Sequence, residues 1–165
     1  MGAIISQFWT FRDALDLAIK ENDDGDYIYL LEDDFLHKPN SKIMLLEGMG
    51  KYDAYLTLYD HPDKYMNKID GGNYFIEEEG EVTRLVKTTS THWKITNSTV
   101  MSFAAKVSRL KLDYDLFKKH SSNNITDSFS FFTELSQTLS IPVLSSVPGY
   151  STHCESLWTS PLTNW

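Results

Sequence analysis

The positions of apolar residues first predict a helix near the start of the chain. Over residues 7–21 they recur at steps of three and four, the spacing that places side chains on one face of an amphipathic helix: Phe8, Phe11, Leu15, Ala18 and Ile19. The polar run Asn22 to Asp26 ends this pattern. Residues 27–31 are all apolar and do not alternate, which predicts a strand buried on both faces of a sheet.

Later apolar segments predict more strands. Residues 74–76 and 82–86 flank an acidic run, which indicates a hairpin that turns at Gly80 and keeps its acidic tip in solvent. Three further segments have strand character, and the third is expected to be the final strand: residues 53–59, 93–105 and 141–147.

Helices are expected between these strands. One from about residue 41 to residue 49 has Asn40 or Ser41 as its capping residue. Residues 127–139 have a clear helical spacing, whereas residues 106–119 keep a rough one that fits one helix or two short ones. Because strands alternate with helices and one hairpin is added, the sequence predicts a single mixed α/β domain over residues 1–165.

Three carboxylates, those of Glu32, Asp33 and Asp34, come directly after the first predicted strand. Like charges this close raise one another's cost of ionisation, and packing gives no reason to group them. A divalent cation would offset that cost, because Mg²⁺ and Mn²⁺ prefer carboxylate oxygens and often share them with a phosphate. In open α/β sheets, ligands bind beyond the carboxyl ends of strands. The triplet therefore indicates a metal–phosphate site, with a solvated acidic turn before Pro39 as the alternative.

Composition and charge narrow the range of functions. A formal charge of -8 argues against sequence-independent binding to nucleic acid, which needs a basic surface. The single cysteine, Cys154, cannot form an internal disulfide, so a reducing, cytoplasmic location is expected. No apolar run approaches the roughly 20 residues that cross a bilayer, so no transmembrane segment is expected.

Four motifs follow one another along the chain: YLLEDDFLHKP (residues 29–39), LYDHPDKY (58–65), HWKITNST (92–99) and PGYSTHCE (148–155). Together they resemble a group of small family-2-like GT-A glycosyltransferases of bacteria and large DNA viruses. The resemblance extends from about Phe8 to Trp165. It implies a GT-A-like, Rossmann-like mixed central sheet flanked by helices. The usual N-terminal nucleotide-binding half is expected to be shortened or missing, since a single predicted helix precedes the acidic motif.

The resemblance also implies how a metal and a nucleotide sugar are held. Asp34 is expected to be the direct ligand of Mn²⁺ or Mg²⁺, while Glu32 or Asp33 contacts the ribose or a metal-bound water. His153 is the expected distant metal or phosphate partner, and imidazole suits Mn²⁺ better than Mg²⁺. The alternative for His153 is an ordinary surface histidine in a loop.

A sugar acceptor that attacks directly must lose a proton to a base. Asp127 is expected at a helix start, the placement of the base in inverting relatives. Its alternative is an N-cap, and a helix N-terminus would lower its pKa. Asp60 is the second catalytic candidate, with Asp63 and His61 as rivals. For this group, a tight turn made by the intervening proline is the alternative.

These expectations describe a metal-dependent glycosyltransferase (a hexosyl- or deoxyhexosyltransferase). It would move a sugar from a nucleotide-diphosphate donor, UDP-linked, to a carbohydrate or other hydroxyl acceptor with inversion. One alternative is a Mg²⁺-dependent phosphohydrolase. Against it, Phe35 follows Asp34 where the nucleophile–x–acid arrangement would have Thr or Val. The other alternative is a non-catalytic module that binds a nucleotide sugar or carbohydrate.

Overall fold

A computed structural model describes residues 10–77, 80–122 and 125–165. Its strands are β1 (Tyr27–Leu30), β2 (Phe35–His37), β3 (Tyr55–Thr57), β4 (Leu85–Lys87), β5 (His92–Thr96), β6 (Phe103–Lys106), β7 (Ser121–Ser122), β8 (Ile125–Thr126), β9 (Val143–Val147) and β10 (Ser151–His153). Its helices are α1 (Thr10–Glu21), α2 (Ser41–Lys51), α3 (Val107–Leu112), α4 (Tyr114–Lys119) and α5 (Ser128–Thr133), the last continuing as a π-helical segment over Glu134–Thr138.

Six of the strands form one mixed sheet in the order β1-β6-β3-β9-β5-β4. Strands β3 and β9 are parallel, and the other neighbours are antiparallel. Two small antiparallel pairs, β2 with β10 and β7 with β8, lie outside this sheet. The expected mixed α/β fold with a mixed central sheet flanked by helices is therefore confirmed.

Helices cover both faces of the central sheet. Successive side chains of a strand point to opposite faces, so Tyr55 belongs to one hydrophobic core and Leu56 to the other. The Tyr55 core is aromatic and receives side chains from α1, α3, α4 and α5. The Leu56 core packs against α2 through Met44, Leu45 and Met49. This two-sided burial covers the middle strands, since every residue of β3 and all of β9 except Val147 are buried.

The expectation that the first strand is buried on both faces is confirmed only in part: Ile28 packs against the Tyr55 core and Tyr29 against the Leu56 core, but Leu30 alone in β1 is buried. Strand β1 is an edge strand of the sheet and pairs with β6 alone among the described strands. Leu30 is buried, whereas Leu31, just beyond the strand, is exposed. An uninterrupted apolar run does not distinguish a central strand from a half-buried edge strand, because the pattern carries no information about neighbours.

The predicted hairpin at Gly80 was also wrong. Strand β4 pairs with β5 instead, and the turn between them is closed by a hydrogen bond from Thr88 N to Thr91 O of 3.0 Å. Asn73 N donates to Asp63 O at 2.9 Å, which folds the following residues into a turn rather than a strand. Part of the acidic tip, residues 78–79, lies outside the described residues, but the side chain of Glu81 is only 9% exposed.

The strand at 141–147 is not the last one. Strand β10 follows it, although its sequence has no apolar alternation. Its backbone pairs with β2, and Thr152 Oγ1 accepts a hydrogen bond from Ser160 N at 2.8 Å. At the start of α2, Asn40 occupies the cap position, but its side chain forms no capping hydrogen bond. The expected position of the cap is therefore confirmed, but the capping hydrogen bond expected from its side chain is not formed.

The remaining helices answer the open alternatives. Residues 106–119 form two short helices, α3 and α4, which meet at Asp113, where Tyr55 donates a hydrogen bond to the carboxylate at 2.9 Å. Helix α1 confirms the first predicted helix from Thr10 onward, whereas residues 7–9 lie outside the described residues. Across the described ranges, none of the helices combines the length and apolarity needed to cross a bilayer.

Candidate functional site

The acidic triplet lies in the tight connection between β1 and β2. The backbone of this turn is anchored at both ends: Glu32 N donates to Ser102 Oγ at 3.0 Å, and Asp34 O accepts from Cys154 N at 2.9 Å. Ser102 lies just before β6 and Cys154 just after β10. The turn is therefore held between the central sheet and the C-terminal part of the chain.

Asp34 and His153 form an ion-pair contact in this turn. The antiparallel pairing of β2 with β10 places His153 opposite Phe35, and the side chain of His153 then reaches Asp34, with 2.9 Å between Nε2 and Oδ2. The exposed fractions are 20% for the His153 side chain and 39% for that of Asp34, so both remain accessible. His153 Nδ1 accepts a hydrogen bond from Glu155 N at 3.2 Å. In the neutral imidazole the proton is then on Nε2, which donates to Asp34.

The other two carboxylates of the triplet differ from each other. Partial burial raises the pKa of Glu32 above its usual value, and the negative charge of Asp34 raises it further. A hydrogen bond of 3.3 Å from Ser102 Oγ to Glu32 Oε2 opposes this rise. Asp33 is exposed on the turn. Within the triplet, the charge of Asp34 therefore raises the pKa of Glu32, as the expected repulsion requires.

A line of rings, here called the aromatic row, leads away from the Asp34–His153 pair. Its five rings follow one another at centroid distances of 5.2, 5.1, 4.9 and 5.4 Å: His153, Phe35, Tyr59, His61 and Trp158. Burial raises the pKa of Tyr59, and the carboxylates of Asp63, Asp60, Glu32 and Asp34 add to the rise. Tyr59 therefore lies between the acidic turn and a second group of carboxylates near His61.

Asp60, a predicted catalytic residue, belongs to that second group. Its side chain is inaccessible to solvent. Lys94 Nζ lies 2.8 Å from its Oδ1, and the hydroxyl of Tyr65 contacts both carboxylate oxygens at 3.0 and 2.9 Å. A carboxylate that is fully buried and already paired with a lysine is poorly placed to receive a proton from a substrate. The geometry gives Asp60 a structural role.

A wider network of buried polar groups surrounds Asp60, and pattern reasoning missed most of it. Lys64 donates to Asn97 Oδ1 at 2.8 Å and to Ser98 Oγ at 2.7 Å, while Glu81 accepts from Thr96 Oγ1 at 2.9 Å. The available signal was the run Thr96 to Thr99, which lies within a predicted strand and contains no apolar residue. Burial lowers the pKa of Lys64, and nearby carboxylates offset only part of this effect.

Asp127, the other predicted catalytic residue, is the N-cap of α5. Its Oδ1 accepts from Ser130 N at 2.9 Å, and its Oδ2 accepts from Ser130 Oγ at 2.6 Å. These hydrogen bonds hold the pKa of Asp127 below its usual value. The residue is exposed, and the contacts described for it do not reach Asp34, His153 or the aromatic row. The capping alternative thus has direct geometric support, which the catalytic role lacks.

The donor groups brought together at the acidic turn are a carboxylate and an imidazole. Among the described residues, no cluster of three or more His, Cys, Asp or Glu side chains is arranged to hold a metal ion. The Asp34–His153 pair is therefore at most part of a coordination shell that a ligand would complete. Comparison with protein-family models gives no match, and comparison with curated proteins gives none either.

Proposed function

We propose that this protein is a metal-dependent glycosyltransferase with a GT-A-like fold. In this proposal it moves a sugar from a UDP-linked donor to a carbohydrate or other hydroxyl acceptor with inversion. The four motifs support the proposal, as does the mixed sheet. The observation that carries it is the 2.9 Å contact between Asp34 and His153. The two residues are far apart in sequence, yet they lie close enough to bind one cation together.

The chemistry of this pair suits the proposed cation. A carboxylate oxygen and an imidazole nitrogen are both accepted by Mn²⁺, while Mg²⁺ would depend more on Asp34 and on water. Asp34 and His153 would hold the ion and leave positions for diphosphate oxygens. To become a ligand, His153 Nε2 would have to be without its proton, so the proton of the neutral ring would move to Nδ1, which now accepts from Glu155 N.

The remaining residues of the turn take supporting roles in the proposal. When bound, the cation would neutralise the negative charge that develops on the departing nucleoside diphosphate. Glu32 or Asp33 would contact the ribose or a metal-bound water. Glu32 is restrained by Ser102, which orients its carboxylate, whereas Asp33 is free to turn toward a bound nucleotide.

A calorimetric titration of UDP with and without Mn²⁺ tests the proposal. We expect Mn²⁺ to tighten UDP binding to the wild type by about tenfold or more, equivalent to about 1.4 kcal/mol. Asp34→Asn keeps the size of the side chain but removes the charge, so it is expected to abolish this gain. Asp13→Asn is the matched control, since Asp13 is an exposed carboxylate on α1. Equal UDP binding by wild type and Asp34→Asn, with no response to metal, would contradict the proposal.

One observation favours a second candidate, a non-catalytic module that binds a nucleotide sugar or carbohydrate. In the present geometry both nitrogens of His153 are in contact with protein groups, Glu155 N and the Asp34 carboxylate. The pair therefore also acts as a structural clasp, which holds the segment after β10 against the acidic turn. A clasp predicts UDP-sugar binding that is independent of metal and is not followed by turnover. The same titration, continued with an assay for released UDP, separates the two candidates.

A further inference from the structure

His61 and Asp63 form a second histidine–carboxylate pair that the proposed metal site does not use. They flank Pro62 at the start of a 3₁₀ turn, Pro62–Lys64, and His61 Nδ1 lies 2.8 Å from Asp63 Oδ1. The Asp63 carboxylate is fixed from its other side, because Asn73 Nδ2 donates to Oδ2 at 3.1 Å and Lys64 Nζ lies 3.5 Å away. The exposed fractions of the two side chains are 18% and 15%.

This contact determines which imidazole nitrogen carries the proton. The backbone N–H of Asp63 points at Nδ1 from 3.1 Å, but a bare Nδ1 would also face a carboxylate oxygen with lone pairs opposed. Asp63 Oδ1 is shielded from water and has no hydrogen-bond partner of standard geometry within the described part of the chain. Leaving such an oxygen unpaired is costly. A proton on Nδ1 would offer this oxygen a donor within reach, so we assign the proton of the neutral imidazole to Nδ1.

The ionisation of Asp63 agrees with this assignment. Burial alone would raise the pKa of Asp63, but the hydrogen bond from His61 and the positive charge of Lys64 outweigh burial and hold it below its usual value. The carboxylate is therefore charged at neutral pH and accepts strongly from Nδ1–H. An imidazole held in this way has its other nitrogen, Nε2, as a lone-pair acceptor.

Nε2 of His61 is available to a substrate. It makes no hydrogen bond to the residues that the structure describes, and it is not among the unpartnered side-chain atoms that are shielded from solvent. The ring is held in the aromatic row, with Tyr59 on one side at 4.9 Å and Trp158 on the other at 5.4 Å. Two rings, Tyr59 and Phe35, separate it from His153 and hence from the proposed cation.

We propose that His61 is the catalytic base that accepts the proton of the attacking hydroxyl, and that Asp63 is its positioning residue. This inference rests on the proposed function. As the acceptor oxygen forms its bond to the anomeric carbon, its proton passes to His61 Nε2. The bond from that carbon to the diphosphate oxygen breaks, and the nucleoside diphosphate leaves with the electron pair. The imidazolium, stabilised by Asp63, then returns the proton to solvent.

His61 satisfies the geometric needs of a base better than the two aspartates named from sequence. A base needs a free lone pair that a substrate can reach. Asp60 is inaccessible and paired with Lys94, and the oxygens of Asp127 are occupied by the backbone and side chain of Ser130. His61 has an oriented ring and an accessible nitrogen. A histidine base whose Nδ1 is held by a carboxylate, leaving Nε2 for the substrate, is a recurring catalytic arrangement.

The test measures turnover of UDP-glucose and the other common UDP-sugars, with water as acceptor, in the presence of Mn²⁺. Release of free sugar needs no knowledge of the natural acceptor. His61→Asn retains an N–H for Asp63 and removes the base, so we expect turnover to fall by about 10²-fold or more, with the dissociation constant for UDP and Mn²⁺ unchanged. His92→Asn, an exposed histidine at the start of β5, is the matched control and is expected to match the wild type.

A nitrogen-15 NMR spectrum of the imidazoles gives a readout that does not depend on turnover. We expect neutral His61 to be protonated on Nδ1 in the wild type, and Asp63→Asn to lose this preference together with most of the turnover. A proton on Nε2 of the wild type would overturn the proposal. So would full turnover by His61→Asn, or a loss in Asp127→Asn that His61→Asn does not show. If the wild type neither turns over any UDP-sugar nor responds to Mn²⁺, the proposed function fails and the base role fails with it.

Discussion

At the scale of single residues, the buried side chain of Lys94 is paired with the carboxylate of Asp60. Both side chains are almost completely buried, and 2.8 Å separates Lys94 Nζ from Asp60 Oδ1. Burial tends to lower the pKa of Lys94, but the Asp60 carboxylate more than compensates, so the pKa lies above its usual value. Removing one member of such a pair leaves an uncompensated buried charge, whereas replacing both members is far less costly.

Lys94→Met is therefore expected to lower the free energy of unfolding by about 3–5 kcal/mol. Urea denaturation followed by tryptophan fluorescence would measure it. Lys87→Met, an exposed lysine on the neighbouring strand β4, is the control and should change stability little. Adding Asp60→Asn to Lys94→Met should restore part of the loss. If Lys94→Met costs no more than the control, the pairing does not stabilise the fold.

Pattern reasoning could identify some of these residues but not their partners. Asp34 and His153 were both named from sequence, and the structure brings them to 2.9 Å. Lys94 carried no signal, because a lysine inside a strand usually faces solvent. Asp60 was named as a base, since nothing local shows that its charge is already matched by a residue of another strand. The sequence shows which chemical groups a residue carries, but it does not show which distant residue its side chain contacts.

At the scale of elements, α2 illustrates how packing overrides helix propensity. Glycine usually weakens a helix, yet Gly48 lets the backbone of α2 lie close to side chains of the sheet. A Cβ placed there would clash with Leu56 Cδ2 and would lie 2.9 Å from Trp93 Cζ2, both in the core. Gly50, two residues later in the same helix, has nothing within 4 Å of the same position.

The two glycines should respond to alanine with opposite signs. Gly48→Ala is expected to destabilise the protein by about 1–3 kcal/mol, because the core must shift to admit a methyl group. Gly50→Ala is expected to stabilise it by about 0.5–1 kcal/mol through helix propensity. Thermal unfolding followed by circular dichroism compares them directly. A stabilising Gly48→Ala would mean that α2 packs less tightly against β3 and β5.

The elements also show where prediction fails. Helix α1 and strand β3 follow from periodicity, because each is specified by its own residues. The partner of β4 does not, since a strand can pair with any suitable neighbour. Two candidates existed, residues 74–76 and β5, and the hydrogen bonds of Asn73 removed the first from competition. Pairing is therefore decided by the contacts of the flanking turns.

At the scale of the whole molecule, the C-terminal strap, residues 156–165, fastens the proposed site to the sheet. Tyr59 donates to Trp158 O at 2.5 Å, and Ser160 Oγ lies within 3.0 Å of Asp60 O. Trp165 Nε1 donates back to Ser160 O at 3.1 Å. Because His153 lies three residues before the strap, we expect the position of its imidazole to depend on these contacts.

Tyr59→Phe removes one anchor of the strap while keeping the ring. We expect faster amide hydrogen exchange in residues 153–160, unchanged exchange in β3 and β9, and a loss of about 1 kcal/mol in stability. Tyr52→Phe is the matched control, because its hydroxyl donates to Lys87 O outside the proposed site. Unchanged exchange in the strap would show that its position does not depend on Tyr59.

The sequence by itself determined the mixed α/β class, most helices and strands, and the residue types of a carboxylate–histidine site, because periodicity and residue chemistry are local properties. Tertiary structure alone decided that β1 is an edge strand, that β4 pairs with β5, and that Asp60 is neutralised by Lys94. It also decided that Nε2 of His61, in the aromatic row, has no hydrogen bond to the residues that the structure describes. These outcomes depend on contacts between residues that are distant in sequence and on the burial of their polar groups. Both exist only once the chain has folded.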